Sequence, residues 1–419
     1  MTINATPRMP AASARGRSAP ASPIRKLMPF ADAARARGVH IHHLNIGQPD
    51  FATPAPIRDA IAHFDHQTIA YAPSQGVPEA VRAWGSYYSA ACGVAVPDEQ
   101  LLVTAGGSEA IVFAMMTVAD QGDEIVVFDP SYTNYCGFAA MAGISLRAVM
   151  LRPDDGYALP PAEAIAAAVT GRTRAILFCN PNNPTGATYG EADLRRLLDV
   201  CEERNIFLIV DEVYRELVFD GRPQTSLFQI PGARARGIVV DSVSKRFNAC
   251  GARVGCLSSA NEEVMGAALR FAQARLAAPT VEQLALVPVL NDPLPYTAPL
   301  AGAYERRRDA ALAALSALPG VTGSRPQGAF YSILSLPVDD GEDFARWMLE
   351  HFEQDGETTM VAPLEGFYVT PGYGRSEVRL AFVLDEERIG CAVRVLGAGL
   401  EAYRATGARG AHARLRVVS

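Results

Sequence analysis

A lysine that attacks a carbonyl must first lose a proton, and the surroundings of Lys245 favour that loss. It stands in the run Ser242-Val243-Ser244-Lys245-Arg246-Phe247, with Arg253 eight residues beyond it. A partly buried amine beside other cations is easier to deprotonate. It can then form an imine with an aldehyde. The hydroxyls of Ser242 and Ser244, and the guanidinium of Arg253 about two helical turns on, suit a phosphate carried by the same molecule. Ser-x-Ser-Lys alone reads better as a surface lysine after a strand. The elements that accompany it decide between the two.

Asp211 closes the apolar run Ile206 to Val210, and Tyr214 follows three residues later. A carboxylate at the carboxyl end of a strand sits where open α/β sheets place their ligands. It also reads as an N-cap ahead of a helix, and the two readings are compatible. Upstream, Asn180-Pro181-Asn182-Asn183-Pro184-Thr185-Gly186 follows the apolar strand Ala175 to Cys179. Two prolines and a glycine there impose a sharp turn. Gly106-Gly107-Ser108 lies between a strand and a helix, so backbone N–H groups and the helix dipole can face an anion. Arg379 lies in the otherwise apolar strand Val378 to Phe382. Buried there it needs a partner, and a bidentate grip on a carboxylate would supply one.

The order and spacing of these elements resemble the fold type I enzymes that use pyridoxal phosphate (PLP), and among them the class I aminotransferases related to aspartate aminotransferase. The likeness runs from about Ser22 to about Tyr403. It implies that Lys245 binds the aldehyde and then carries a proton, and that Asp211 keeps the pyridine nitrogen protonated. It implies that Tyr214 and Asn183 reach the phenolic oxygen, and that Tyr132 stacks on the ring. It assigns the phosphate to Gly106, Gly107, Ser108, Ser242, Ser244 and Arg253, with Tyr71 reaching across from the neighbouring subunit of a homodimer. The substrate carboxylate falls to Arg379, Asn183 and the backbone of Gly47. The activity implied is ping-pong transfer of an amino group from an L-amino acid to a 2-oxo acid. An alternative on the same site is elimination or replacement at the β or γ carbon, or carbon–carbon bond formation. Bacterial aspartate aminotransferases often carry a lysine where this chain has Ser108, and Arg25 is a cation of unknown placement in the N-terminal segment.

These residues require a scaffold, and the chain alternates helix and strand to provide one. Strands are expected at His43 to Ile46, Leu101 to Thr104, Glu124 to Phe128, Ser145 to Met150, Thr173 to Phe178, Ile206 to Asp211, Gly237 to Ser242 and Arg253 to Ser258. Such alternation predicts a mostly parallel sheet covered by helices. The resemblance makes it seven-stranded, in a large PLP-binding α/β domain joined to a smaller α+β domain. The expected divisions are a flexible arm over 1–21, a segment over 22–55 that joins the small domain, the large domain over 56–300, the small domain over 301–406, and a flexible tail over 407–419.

Bulk properties exclude other classes. The 419 residues carry a net charge of -7, with 49% apolar and 20% charged residues. Nothing there calls for nucleic acid or a membrane as partner. No apolar run reaches the roughly 18 residues of a membrane span. About forty residues before the first motif are too few for a helix-turn-helix module on a ligand-sensing regulator, and no GxGxxG opens a first βαβ unit. The seven cysteines are scattered and lack a CxxC, as expected of free thiols in a reducing cytoplasm. The first 23 residues resemble a transit peptide in composition, or a disordered arm. His40 and His42 would share one strand face. No carboxylate companion is evident beside them, and no metal is expected. Glu109 and Glu212 read as carboxylates at helix termini.

Overall fold

The computed structural model describes residues 10–406. The expected tail over 407–419 and the first nine residues of the expected arm lie outside the described residues. Among the described residues there are thirteen strands: β1 (His40–His43), β2 (Leu101–Thr104), β3 (Glu124–Asp129), β4 (Ser145–Met150), β5 (Thr173–Cys179), β6 (Phe207–Asp211), β7 (Gly237–Ser242), β8 (Gly255–Ser258), β9 (Thr322–Gly323), β10 (Tyr331–Ser335), β11 (Glu357–Met360), β12 (Ala362–Pro363) and β13 (Glu377–Ala381). Seven of them form the main sheet in the order β2-β8-β7-β6-β5-β3-β4. Only β8 runs antiparallel to its neighbours. The predicted α/β class and mostly parallel seven-stranded sheet are therefore observed.

The sequence explains the sheet's interior position. β3, β7 and β8 are buried at every residue, as strands covered on both faces must be. β4 lies at the edge and alternates towards solvent. One apolar core under the sheet contains Trp84, Phe178, Leu208 and Phe247. The opposite face packs Ile111, Ile125, Leu177 and Ile238 against helices. A third core joins Leu27, Ala31, Ile41 and Leu44 from the N-terminal segment to Phe344, Met348, Leu380 and Leu396.

Differences from the expected elements have local causes. The first strand is His40–His43, not His43 to Ile46, because it pairs in parallel with β11, which the sequence reading did not detect. Leu44 still bonds Met360 and Ala381, and the carbonyl of Gly47 then meets Lys245. The helix Thr280–Asn291 was not foreseen; Pro279 starts it and Pro288 interrupts its pattern. Asp211 begins a turn rather than a helix. Its carboxylate accepts from the Val213 N–H at 3.2 Å. Within the stretch expected to be a flexible arm, Ala14–Ser18 form a short helix. Ser13 caps it, and Arg15 donates to the Met141 carbonyl at 3.3 Å. No helix among the described residues is long and apolar enough to cross a membrane.

Candidate active site

The carboxyl ends of β5, β6 and β7 meet at one cavity. Gly107, Ser108, Tyr132, Asn183, Asp211, Tyr214, Ser242, Ser244, Lys245 and Arg253 all line it. Gly47 and Arg379 line the adjoining space, which shares Tyr132, Asn183, Tyr214 and Lys245. Residues from seven separate stretches of sequence thus converge. Tyr71 does not join them; it is 82% exposed on this chain.

Close backbone packing shapes the anion-facing side. Gly106 has φ +83°, and a β-carbon there would come within 2.4 Å of the Arg253 guanidinium. A β-carbon on Gly255 would lie 2.6 Å from the Gly106 carbonyl carbon, so β8 holds the glycine turn against the end of β7. Ser242 Oγ accepts from the Ser244 N–H at 3.2 Å, and the two hydroxyls are 2.8 Å apart. Arg253 is not carried two turns along a helix as its spacing suggested. The helix ends at Arg246, and Arg253 takes a left-handed conformation with φ +52°. Its guanidinium donates to the Cys250 carbonyl at 3.0 Å and lies beside Ala105.

Lys245 Nζ donates to the Gly47 carbonyl at 2.7 Å and lies 3.6 Å from Cys250 Sγ. The Gly47 carbonyl is thus engaged by the lysine. Glycine is required at this position because a β-carbon would fall 1.7 Å from Tyr331 Oη. Tyr331 in turn lies 3.0 Å from Tyr214 Oη. Burial and the neighbouring Tyr331 hold the Tyr214 phenol well above its ordinary range. Burial likewise pushes Tyr132 up to about 12.

Asp211 is buried and has no cationic partner among the described residues. Burial pushes its carboxyl up to about 6, against the opposing effect of hydrogen bonds from Tyr135 and Val213. The Tyr135 hydroxyl donates to it at 2.8 Å. Arg379, 2% exposed, donates to Asn183 Oδ1 at 2.9 Å and to the Asn45 carbonyl at 2.8 Å. Its guanidinium lies 4.2 Å from the centre of the Tyr331 ring. It too has no carboxylate partner among the described residues, and its Nε is unpaired. A buried anion and a buried cation therefore line adjoining spaces without meeting.

Sequence reasoning missed Tyr135, Tyr331 and Cys250. Tyr135 stands one helical turn after Tyr132, a spacing that could have paired them. Tyr331 and Cys250 carry no comparable signal. Glu212 is not a helix-terminus carboxylate: it is fully buried and accepts from the Leu227 N–H at 2.7 Å beside Arg215. Glu109 does cap a helix start, accepting from the Ala105 N–H at 2.8 Å.

The family model of the class I and II aminotransferases matches residues 39–396. An aspartate aminotransferase of Rhizobium meliloti is 30% identical over 93% of this chain and 99% of that protein. An aspartate/prephenate aminotransferase of Thermus thermophilus is 30% identical over 87% of this chain and 93% of its own. The solved aspartate aminotransferase of Thermus thermophilus with maleate superposes with a TM-score of 0.84 at 28% identity, covering 93% of this chain and all of that one. The chain belongs to the class I and II aminotransferases. It is a PLP-dependent aminotransferase acting on amino and oxo acids, and the elimination or bond-forming alternative is not favoured. The residues present fit that cofactor: a buried carboxylate without a cation would pair with a cationic ring nitrogen, and a glycine turn, two hydroxyls and a guanidinium would hold a phosphate.

Proposed function

We propose that this enzyme exchanges amino groups between dicarboxylic L-amino acids and 2-oxo acids, with Lys245 as the proton-carrying amine. The observation that carries the carboxylate half of this reading is Arg379, buried among apolar and aromatic groups without an anion. A substrate α-carboxylate meets that need, with Asn183 fixing the guanidinium plane. Arg25 supports the distal half. Besides Lys245 and Arg379 it is the cation lining the substrate space. It can take the task that a lysine at the Ser108 position performs in other members.

Bound PLP supplies an aldehyde carbon for the amine and an aromatic ring that takes up the electron pair left at the α carbon. Asp211 would pair with the ring nitrogen, Tyr214 and Asn183 with the phenolic oxygen, and Tyr132 would lie against the ring. Gly106, Gly107, Ser108, Ser242, Ser244 and Arg253 hold the phosphate. Lys245 Nζ would carry the α proton. The Gly47 carbonyl keeps that amine near the α carbon.

The same reading makes the enzyme a cytoplasmic homodimer. Ile69 and Tyr71, 69% and 82% exposed, suit a surface that a second copy covers, with Tyr71 completing the partner's phosphate site. It also divides the chain into a segment over 22–55 and a domain over 301–406 packed together, and a cofactor domain over 56–300.

Mixing PLP-loaded enzyme with single L-amino acids, without acceptor, tests the substrate class. L-aspartate or L-glutamate should remove the absorbance of the lysine-bound cofactor fastest. Arg25→Ala should raise the half-saturating concentration of these two by about fivefold and leave L-alanine unchanged. Equal conversion of neutral and acidic amino acids, unaffected by Arg25→Ala, would refute it.

A further inference from the structure

The small sheet of β1 and β11 gathers two imidazoles and a carboxylate away from the cofactor cavity. On β1, His40 and His42 share a face, their rings edge-on with centroids 4.9 Å apart. The parallel register sets Glu357 opposite His40. Its Oε2 lies 3.0 Å from His42 Nε2. One donor atom from each of the three side chains lies within 4.8 Å of the others. Donors bound at about 2.1 Å in a tetrahedron stand roughly 3.4 Å apart. Rotation of the exposed His40 side chain is enough to close that difference.

We propose that His40, His42 and Glu357 form a binding site for a divalent transition-metal ion, with zinc the best match to two imidazoles and one carboxylate. His42 is 5% exposed and held by packing, so one donor is fixed in advance. His40 is exposed and leaves a fourth position to water. The third histidine of the cluster takes no part. His43 faces the other way, towards Asn45 at 3.1 Å and Arg35 at 2.8 Å. The charge of Arg394 also acts on Glu357, and its guanidinium is engaged with Cys391 Sγ at 2.9 Å.

The position gives such an ion a purpose. A two-stranded sheet is marginal alone. An ion here would tie together residues 315 apart in sequence. β1 leads directly to Asn45 and Gly47, which hold Arg379 and Lys245. The ion would therefore stiffen the segment that closes the substrate space.

The test is zinc titration of PLP-loaded, tag-free enzyme by calorimetry, with metal analysis after dialysis. One zinc per chain is expected, with a rise in melting temperature of roughly 3 °C at a hundredfold excess over Kd. His40→Ala and Glu357→Gln should each weaken binding at least tenfold and remove that rise, while melting like wild type without zinc. Cys391→Ser should bind as wild type does. Absence of binding, binding insensitive to His40→Ala and Glu357→Gln, or binding lost with Cys391→Ser would overturn the site.

Discussion

Lys245 and Arg246 are neighbours in sequence and opposites in circumstance, and so are Asp211 and Glu212. Arg246 and Glu212 point beneath the sheet end, into a network with Arg215, Glu216 and Asp241. Every charge there has an opposite charge close by: Arg215 lies 3.2 Å from Asp241, and Arg246 lies 3.2 Å from Glu216. Burial pushes the Glu216 carboxyl up, which brings three carboxylates nearer to balance with two guanidinium groups. Lys245 and Asp211 point the other way, into the cavity, where Asp211 and Arg379 lack opposite charges. Each of these buried groups has lost most of its hydration. Only one set has been given opposite charges from within the chain; Asp211 and Arg379 have neutral hydrogen-bond partners alone. A buried charge that the protein pairs itself holds the fold; one left unpaired is reserved for something that arrives later.

Substituting the adjacent residues separates the two conditions most strongly. Lys245→Ala should reduce turnover by on the order of 10⁴-fold or more, since it removes both the cofactor-binding amine and the proton carrier. The melting temperature of the cofactor-free protein should stay within a degree or two of wild type. Arg246→Ala should do the reverse. Removing one partner from a buried ion pair costs about 3–5 kcal/mol, and here it leaves Glu212, Glu216 and Asp241 to share Arg215. Denaturant unfolding measures that loss. An Arg246→Ala protein as stable as wild type would erase the distinction drawn between the two sides.

Asp211 gives the comparison a pH signature. Its carboxyl titrates near 6 in the folded chain, against an ordinary 3.8. Between those values the folded chain retains a proton that the unfolded chain has released. Stability of the cofactor-free protein should therefore fall as pH rises from about 4 to about 6, and show no further Asp211 contribution above that. The contribution is on the order of 3 kcal/mol. Asp211→Asn should flatten this part of the profile, and the difference between the two proteins isolates it from Glu212 and Glu216. An unchanged profile would mean that Asp211 is less enclosed than its position indicates.

Arg379→Ala should raise KM for amino-acid substrates by about 100-fold, the worth of a buried bidentate pair. Its cost in stability should be smaller than that of Arg246→Ala, because it leaves behind two neutral acceptors and no carboxylate. A loss of stability comparable to that of Arg246→Ala would show that Arg379 belongs with the structural charges.

The sequence made one side of this comparison legible and hid the other. Lys245, Asp211, Asn183, Tyr214 and Arg379 stand in short runs whose order carries the resemblance, and all of them face one space. The sheet was equally readable, because strands buried on both faces are continuous apolar runs. The network beneath was not, since Glu212, Arg215 and Arg246 look in sequence like ordinary surface charges. What buries them is tertiary: Tyr87 and Trp84 from a distant helix cover Arg246, whose guanidinium lies 4.3 Å from the Tyr87 ring centre. The β1 boundary failed for the same reason, its partner β11 lying more than three hundred residues away.

The finest test of the comparison lies between two phenols. Tyr214 and Tyr331 hydroxyls are 3.0 Å apart, both buried beside the cavity. Tyr331 also fills the space that a side chain on residue 47 would need. Tyr214→Phe leaves packing intact and removes one hydroxyl, so turnover should fall by about tenfold, the value of a single hydrogen bond. Tyr331→Phe should cost less, because its hydroxyl reaches the site through Tyr214. Combining the two should cost no more than Tyr214→Phe alone if they act as one chain. Effects that multiply instead would mean that each hydroxyl meets the bound molecules independently, and Tyr331 would then rank among the groups held in reserve for a ligand.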